Sequence, residues 1–302
     1  SPKHEVDVAI RYLENLSEER DASKPFFMMV SMNPPHHPYK SLDDCMEEDY
    51  NLYKDKTLGE LLIRDNVDTT MTKAKSAPYY FAQITGVDRE FGRLLDKLSD
   101  LGFSENTIVV FASDHGDTMC SHGVNDAKNS PYTEATNIPF IVRYPKKLKP
   151  KVTDKLLTSQ DIMPTLLTLS GLGDNIPREV QGVSFGDYLL TGKGNHLPQS
   201  ALYIRNLDGE KDDEGKTITY FPETRGVKTA QYTLAITIDR ENQLSEILFF
   251  DDINDPYQLN NLNPDDYPEV KDNLLKELAA LLKKAEDPWY SERILQELIT
   301  YQ

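Results

Sequence analysis

The stretch that decides the fold is Ile108-Val-Val-Phe-Ala-Ser-Asp-His-Gly-Asp-Thr118, in which an apolar run ends in potential metal ligands and a glycine. The apolar run predicts a buried strand over Thr107–Ala112. Asp114 offers a carboxylate and His115 an imidazole directly after that strand, and both groups bind divalent cations. Gly116 permits a tight backbone turn beside a bound ion or anion. The stretch therefore predicts an active site at the end of a strand.

The first 190 residues alternate short apolar runs with amphipathic segments. Phe26–Ser31 is predicted to be a buried strand whose end leads into a proline-rich loop, and Asn137–Pro145 is predicted to contain another buried strand. Between them, apolar residues recur at helical spacing over Tyr79–Leu98, which predicts a helix that covers the sheet. Such alternation predicts an α/β domain over 1–190, with a mostly parallel sheet flanked by helices and ligand sites at the carboxyl ends of its strands.

The pattern changes after about residue 190, where polar loops and short alternating runs follow. Gln231–Thr237 and Ser245–Phe250 are predicted to pair as antiparallel strands. Tyr267–Lys284 then places its apolar residues on one side of a helix. Residues 191–302 are therefore predicted to form a small α+β subdomain with an antiparallel sheet and a helix.

The composition and charge of the chain disfavour several kinds of binding partner. The chain has 302 residues, 38% hydrophobic content, a net charge of −17 and two cysteines. A strongly acidic protein is a poor match for nucleic acid, and a sulfated polymer would need a local basic pocket to overcome the same repulsion. No apolar run approaches the length of about 18 residues that a transmembrane helix needs. Cys45 and Cys120 stand far apart in the sequence, which indicates no disulfide framework.

Four ordered stretches resemble the sulfatase family of the alkaline phosphatase superfamily. They are Lys24–Tyr39, Thr107–Pro145, Gln160–Leu167 followed by Gly171 and Gly182–Phe185, and Arg225–Lys228 followed by Leu248–Asp251 and Asp255–Leu262. The resemblance implies an alkaline-phosphatase-like α/β fold and hydrolysis of sulfate esters, with a sulfated small molecule or carbohydrate as substrate. It also implies export to the periplasm, the cell surface or a lysosome.

The chain departs from the family pattern at its start. The family's nucleophile is a formylglycine made from the first residue of a Cys/Ser-x-Pro/Ala-x-Arg motif, and neither Cys45 nor Cys120 lies in one. The family's opening strand with paired aspartates is also absent, and a polar, helix-like stretch occupies Glu5–Glu19 instead. We therefore expect the chain to be the C-terminal portion of a longer sulfatase. Its missing N-terminal half would then be its partner, and the fragment alone would be inactive.

The resemblance also implies roles for particular side chains. Asp114 and His115 would hold a divalent cation together with acidic residues from elsewhere. Calcium is the first choice, and manganese or zinc is the alternative because imidazole is the more usual ligand of those metals. Lys128 would approach the sulfate and stabilise its developing negative charge.

Histidines supply the remaining candidates. His36 stands two residues before Pro38, as in the family motif, and would donate a proton to the leaving oxygen. His37 is its adjacent competitor, and both could instead pack within the loop. His122 would contact substrate or merely orient its own loop.

Two other functions stay open from the sequence. A phosphodiesterase or phosphonate hydrolase of the same superfamily would share the Asp-His-Gly site and prefer transition metals. A noncatalytic protein would keep this half of the metal site and use it to bind a glycan.

Overall fold

The computed structural model describes residues 1–125, 128–194, 197–206, 213–216, 221–291 and 294–296. The chain divides into two units. The first unit comprises Ser1–Val109, Met119–Asn125 and Arg143–Lys147, and the second comprises Val110–Thr118, Asp126–Val142 and Leu148–Gln302. The predicted domain boundary near residue 190 stays a prediction.

Helices dominate the first unit. They are α1 (Pro2–Glu14), α2 (Glu47–Tyr50), α3 (Leu58–Leu61) and α4 (Ala77–Asp100). The longest of them, α4, confirms the helix predicted over Tyr79–Leu98. The helix-like N-terminal stretch is also confirmed, although α1 ends at Asn15, whose left-handed φ of 53° is a common helix stop.

Small and polar side chains make up much of the buried side of α4. Ala82, Gly86 and Leu98 are buried, and so are the polar residues Gln83 and Glu90. Ile84, which was predicted to lie on the apolar side, is 38% exposed. Two ion pairs in the C-terminal half of α4 join it to α1. Arg93 pairs with Asp7, and Lys97 pairs with Glu14. The helix is therefore anchored by polar contacts as well as by apolar burial.

The buried strand predicted over Phe26–Ser31 is wrong. No strand is assigned there, and side-chain exposure alternates along the run. Phe27 is 84% exposed and Met29 is 82% exposed. An apolar run supplies β propensity, but a strand also needs a neighbour that accepts and donates its backbone hydrogen bonds. None of the described residues forms such a ladder with this run.

The strand after Thr107 is confirmed, and it belongs to a small sheet. Strands β1 (Val109–Ala112) and β2 (Phe140–Arg143) pair with each other. The prediction that β2 is buried is wrong for one of its faces, because exposure alternates along the strand and Ile141 is 61% exposed. Two strands alone cannot cover both of their faces.

Further helices belong to the second unit. They are α5 (Thr133–Thr136), α6 (Ser159–Leu169) and α7 (Gly186–Thr191). The start of α6 is closed by Asp161, which accepts hydrogen bonds from Thr158 and from the backbone N–H of Val183. A Cβ on Gly182 would lie 2.0 Å from the Gln160 carbonyl oxygen. Glycine is therefore needed where this loop crosses the helix start.

The antiparallel sheet predicted for the C-terminal part of the chain is confirmed. Its strands lie in the order β3 (Ser200–Arg205), β4 (Thr224–Thr229), β5 (Tyr232–Ile238) and β6 (Leu244–Asp251), with antiparallel pairing throughout. The helices α8 (Pro268–Lys284) and α9 (Pro288–Ser291) follow. The pairing predicted for Gln231–Thr237 with Ser245–Phe250 and the helix predicted over Tyr267–Lys284 are therefore both confirmed.

Strand β5 is buried on both faces. One face packs in a core whose buried members are Val227, Leu234, Ile236, Ile238, Phe249, Leu274, Leu278, Leu282, Trp289 and Leu295. The other face contributes Ala235, which lies with Leu248, Phe250 and Tyr132. Each fully buried aliphatic or aromatic side chain stabilises the fold by about 1.5–3 kcal/mol. The subdomain therefore has a complete core of its own.

The α/β class is confirmed by these elements. Both cysteines are free, as predicted from their spacing. In the part of the chain that the structure describes, no helix has the length and apolarity needed to cross a membrane.

Candidate active site

The site loop, residues 113–118, follows β1 directly and carries Asp114 and His115. Local hydrogen bonds define its shape. The Ser113 hydroxyl donates to the His115 carbonyl oxygen at 2.7 Å, and the His115 backbone N–H donates to Asp114 Oδ1 at 3.0 Å. The backbone therefore turns tightly after β1, and both candidate ligands lie in that turn.

The tautomer of His115 follows from its contacts. Its Nδ1 lies 2.7 Å from the Gly116 carbonyl oxygen. A carbonyl oxygen only accepts, so Nδ1 must carry the proton and donate it. In the neutral ring the lone pair then belongs to Nε2, the nitrogen that lies 3.6 Å from Asp114 Oδ2. The structure thus brings a carboxylate oxygen close to the imidazole nitrogen that is available to bind a metal ion.

Asp114 is largely exposed, with 86% of its side chain open to solvent. Partial burial acts to raise the pKa of its carboxyl group. The neighbouring His115 imidazole and the hydrogen bonds from the loop outweigh that effect, and the pKa lies below its ordinary value. Asp114 is therefore an ionised carboxylate at neutral pH.

Gly116 contacts the backbone of α5. Its N–H donates to the Ala135 carbonyl oxygen at 2.9 Å, and a Cβ at this position would lie 1.9 Å from the Glu134 carbonyl oxygen. From the sequence, this glycine was expected to permit a tight turn beside an ion. The structure gives a different reason, because two backbone segments approach each other here more closely than any side chain allows.

Lys128 belongs to the second unit and is exposed. The residue that follows it is fixed, since Arg205 on β3 donates from Nη1 to the Asn129 carbonyl oxygen at 2.6 Å. A cationic side chain on an anchored backbone suits the binding of a sulfate oxygen.

His36 and His37 lie in the first unit and are both exposed. His36 Nδ1 donates to the His37 carbonyl oxygen at 2.9 Å, and the two rings contact each other at a tilt of 32° with centroids 4.2 Å apart. The loop is anchored from α4 by Gln83, whose Nε2 donates to the carbonyl oxygens of Pro38 at 2.7 Å and Asp44 at 3.0 Å.

His122 also belongs to the first unit, where Asn66 holds it. The His122 backbone N–H donates to the Asn66 carbonyl oxygen at 2.7 Å, and Asn66 Nδ2 donates to the ring nitrogen Nε2 at 3.0 Å. The residue has a left-handed φ of 59°. These contacts favour the alternative in which His122 orients its own loop.

The pair in the site loop fits a divalent cation as part of a larger ligand set. Neighbouring ligands about 2.3–2.5 Å from a cation lie roughly 3.3–3.5 Å apart in an octahedral shell. The 3.6 Å between Asp114 Oδ2 and His115 Nε2 is close to that separation. Among the described residues, no three His, Cys, Asp or Glu side chains gather where they could hold a metal ion. Asp114 and His115 therefore fit as two ligands of an incomplete set.

Sequence reasoning missed Gln83 and Asn66, which hold the histidine loops. Gln83 carried a usable signal, because it stands four residues before Val87 and so falls on the apolar side of the predicted helix, where the structure leaves it 5% exposed. Asn66 carried no comparable signal, since its partner His122 lies 56 residues away in the sequence.

Comparison with known families identifies two matching models. The model described as Sulfatase matches residues 5–172, and the model described as N-sulphoglucosamine sulphohydrolase, C-terminal, matches residues 120–284. The first match covers more than half of the chain and includes the site loop.

Individual relatives agree with the family models. An endo-4-O-sulfatase of Bacteroides thetaiotaomicron is 56% identical over 100% of this chain and 60% of its own length. An ulvan-active sulfatase of Formosa agariphila is 32% identical over 87% of this chain and 48% of its own length. These relatives are sulfuric ester hydrolases by name, and the chain spans about half to three fifths of their length.

A solved structure shows the same fold. It comes from work on the metabolism of multiple glycosaminoglycans by Bacteroides thetaiotaomicron, and it is 56% identical with a TM-score of 0.94 over 99% of this chain and 62% of the solved chain. The matching models, the relatives and the shared fold lead to one conclusion: the chain belongs to the sulfatase family.

Proposed function

We propose that this chain is part of a sulfatase that removes 4-O-sulfate groups within glycosaminoglycan chains. The observation that carries the proposal is the 56% identity to an endo-4-O-sulfatase, which extends over the whole chain. The paired donors of the site loop add chemical support, because sulfate ester hydrolysis needs a cation-held nucleophile and stabilisation of negative charge.

In this proposal Asp114 and His115 hold part of a divalent cation site. Calcium is preferred, and manganese or zinc is the alternative because His115 supplies nitrogen. The bound cation would act as a Lewis acid that orients the nucleophile and offsets charge on the sulfate. Asp114 suits this role because its carboxyl group is ionised at neutral pH, with a lowered pKa. The hydrogen bond from His115 Nδ1 to Gly116 supports metal binding through Nε2.

Lys128 is proposed to bind a sulfate oxygen. A fixed ammonium group stabilises negative charge that develops as the ester bond breaks. The hydrogen bond from Arg205 to Asn129 supports this role, because it limits the motion of the adjacent backbone.

His36 is proposed to protonate the leaving oxygen. Since Nδ1 donates to the His37 carbonyl oxygen, proton transfer to a substrate falls to Nε2 of the protonated ring. His37 stays the competing candidate, and its ring contacts that of His36. His122 is assigned the lesser role of orienting its loop through Asn66.

The nucleophile is proposed to be a formylglycine outside these 302 residues. Cys45 is a poor substitute, because burial and then the charges of Asp44 and Asp49 raise the pKa of its thiol. A raised pKa disfavours the thiolate, which is the nucleophilic form. Cys120 is fully buried.

The rest of the sulfatase is the proposed partner of the exposed apolar residues. Phe27 is 84% exposed, Met29 82% and Ile141 61%. Exposure alternates along residues 26–31 and along β2, as in strands that have one covered face. We propose that further strands or helices of the sulfatase cover the exposed apolar side chains.

The test uses the full-length protein and chondroitin polymers sulfated at either the 4-position or the 6-position. Sulfate release is followed by ion chromatography, and the position of loss by disaccharide analysis. We expect release from the 4-sulfated polymer before it is shortened. Release from the 6-sulfated polymer alone would contradict the positional assignment. Binding without release from either polymer would favour the glycan-binding alternative, and release of phosphate from a phosphodiester alone would favour the phosphodiesterase.

A further inference from the structure

We propose that the C-terminal antiparallel sheet positions the active site, with Gln258 as the positioning residue of the metal-binding loop and Arg205 as the positioning residue of Lys128. The contact passes through residues 128–136, here called the bridging segment. This segment contains Lys128 at one end and helix α5 at the other. The inference rests on the proposed function, because it assigns the site loop the role given above.

The first connection runs through Gln258, which is 2% exposed. Its Oε1 accepts a hydrogen bond from the Thr133 backbone N–H at 3.0 Å, at the first residue of α5. Its Nε2 donates to Asp252 Oδ1 at 2.7 Å. The two ends of one buried amide therefore join the start of α5 to the loop that follows β6.

Asp252 is itself held by the sheet. Its Oδ2 accepts from Lys228 Nζ on β4 at 2.9 Å and from the Thr233 hydroxyl on β5 at 2.6 Å. Lys228 Nζ also lies 3.5 Å from Thr133 Oγ1. Gln258 is therefore not a flexible surface side chain, because two strands fix the carboxylate to which it donates.

The second connection is Arg205 on β3. Its Nη1 donates to the Asn129 carbonyl oxygen, while its Nε and Nη2 donate to the Pro222 carbonyl oxygen at 2.7 Å and the Thr224 hydroxyl at 2.8 Å. The planar guanidinium therefore contacts the start of β4 through Nε and Nη2, and the backbone next to Lys128 through Nη1. Between the two connections, Tyr132 packs on Phe250 of β6 with ring centroids 6.0 Å apart.

The bridging segment contacts the site loop at Gly116. Ala135 accepts the hydrogen bond from the Gly116 N–H, and the Glu134 carbonyl oxygen occupies the space where a Gly116 side chain would be. His115 precedes Gly116 and donates from its ring to the Gly116 carbonyl oxygen. A shift of α5 must therefore move Gly116 and, with it, the direction of the His115 ring.

The test compares Gln258→Leu with Gln231→Leu in the full-length protein. Gln231 is a matched control, because its Nε2 also makes two hydrogen bonds on this sheet, to Tyr232 and Asp251, but none to the bridging segment. Hydrogen exchange is measured on peptides that contain residues 113–118. Turnover and the calcium concentration for half-maximal activity are measured on 4-sulfated chondroitin.

We expect Gln258→Leu to speed exchange of the Gly116 amide by about tenfold and to lower kcat by about tenfold, with KM little changed, as for residues that orient metal ligands. Half-maximal activity should need more calcium. Arg205→Lys should lower kcat while leaving the calcium requirement unchanged, because it acts beside Lys128. The control Gln231→Leu should alter none of these values.

Two results would overturn the inference. One is unchanged exchange over residues 113–118 in Gln258→Leu, whatever happens to turnover. The other is an equal change in Gln231→Leu, which would indicate general loosening of the sheet. If the wild-type protein releases no sulfate, the proposed function fails, and the exchange measurement still decides whether the sheet positions the loop.

Discussion

The two sheets of this molecule differ in how completely they bury their apolar side chains. In the four-stranded C-terminal sheet, β5 is buried on both faces and Ile238 and Phe249 are inaccessible to solvent. In the two-stranded sheet, Ile141 is 61% exposed and β1 has no fully buried residue. The C-terminal sheet therefore has its partners within the chain, whereas the smaller sheet presents apolar faces that suit further partners.

The candidate site and the larger apolar core lie on different sheets. The candidate metal ligands stand at the end of β1, on the sheet that has the weaker core. The hydrogen bonds that fix the bridging segment come from the sheet that has the stronger core. In the proposed arrangement, the C-terminal sheet, whose apolar side chains are buried within the chain, holds a candidate site that lies on the less buried sheet.

The largest effect is expected from Arg225→Leu in the C-terminal sheet. Arg225 is 1% exposed and pairs with Asp287 at 3.0 Å and Glu223 at 3.1 Å. Its removal leaves a buried carboxylate without a counter-charge, which should lower the free energy of unfolding by about 3–5 kcal/mol. Urea unfolding followed by the fluorescence of Trp289, the single tryptophan of the 302-residue chain, reports on this core.

Its control is the double variant Arg225→Leu/Asp287→Asn. Asp287 Oδ1 also accepts from the Trp289 backbone N–H, and asparagine retains that oxygen without the charge. The double variant should recover part of the lost stability. A cost below about 1 kcal/mol for Arg225→Leu would show that the pair contributes little to the complete sheet.

The next effect is expected from Leu278→Ala, which opens a cavity in the same core. Leu278 is inaccessible to solvent on the sheet-facing side of α8. Loss of its side chain should destabilise the C-terminal sheet by about 2–5 kcal/mol, again measured by urea unfolding at Trp289. Leu259→Ala, at a residue that is 52% exposed, serves as the control and should cost little. Equal effects would contradict the description of this core.

Gly116→Ala tests the point where the two sheets are connected. The added methyl group would lie 1.9 Å from the Glu134 carbonyl oxygen, so the site loop or α5 must move. A displacement of about 1 Å can lower turnover by about a hundredfold, and we expect a loss of that order in sulfate release. Gly92→Ala is the control, because Gly92 lies in helix α4 and nothing lies within 4 Å of the added methyl group. Full activity of Gly116→Ala would contradict the close approach.

The smallest effect is expected from Ile141→Ala in the 302-residue chain. Since this side chain is 61% exposed, its loss should change the free energy of unfolding by less than about 0.5 kcal/mol. In the full-length protein the same change should cost about 1–3 kcal/mol, because the proposed partner would bury it. Hydrogen exchange over β2 is the measurement. The same small cost in both proteins would contradict the proposed covering of this sheet.

Local sequence patterns predicted the elements that depend on local periodicity. Helices α4 and α8, the β5–β6 pairing and the position of Asp114 and His115 after β1 all follow from apolar spacing and from turn residues. The burial of Phe27 and Ile141 could not be predicted in the same way, because burial depends on which neighbours a strand has. Gln258 was also missed, since its partner Thr133 lies 125 residues away.

The most direct measurement is sulfate release from 4-sulfated chondroitin by the full-length protein and its Asp114→Ala variant. Asp154→Ala, at an exposed carboxylate of the same unit, is the control. We predict that Asp114→Ala lowers the rate by at least about a hundredfold, because the cation loses a carboxylate ligand, and that Asp154→Ala keeps the wild-type rate. Wild-type activity in Asp114→Ala would contradict the assignment of the site loop.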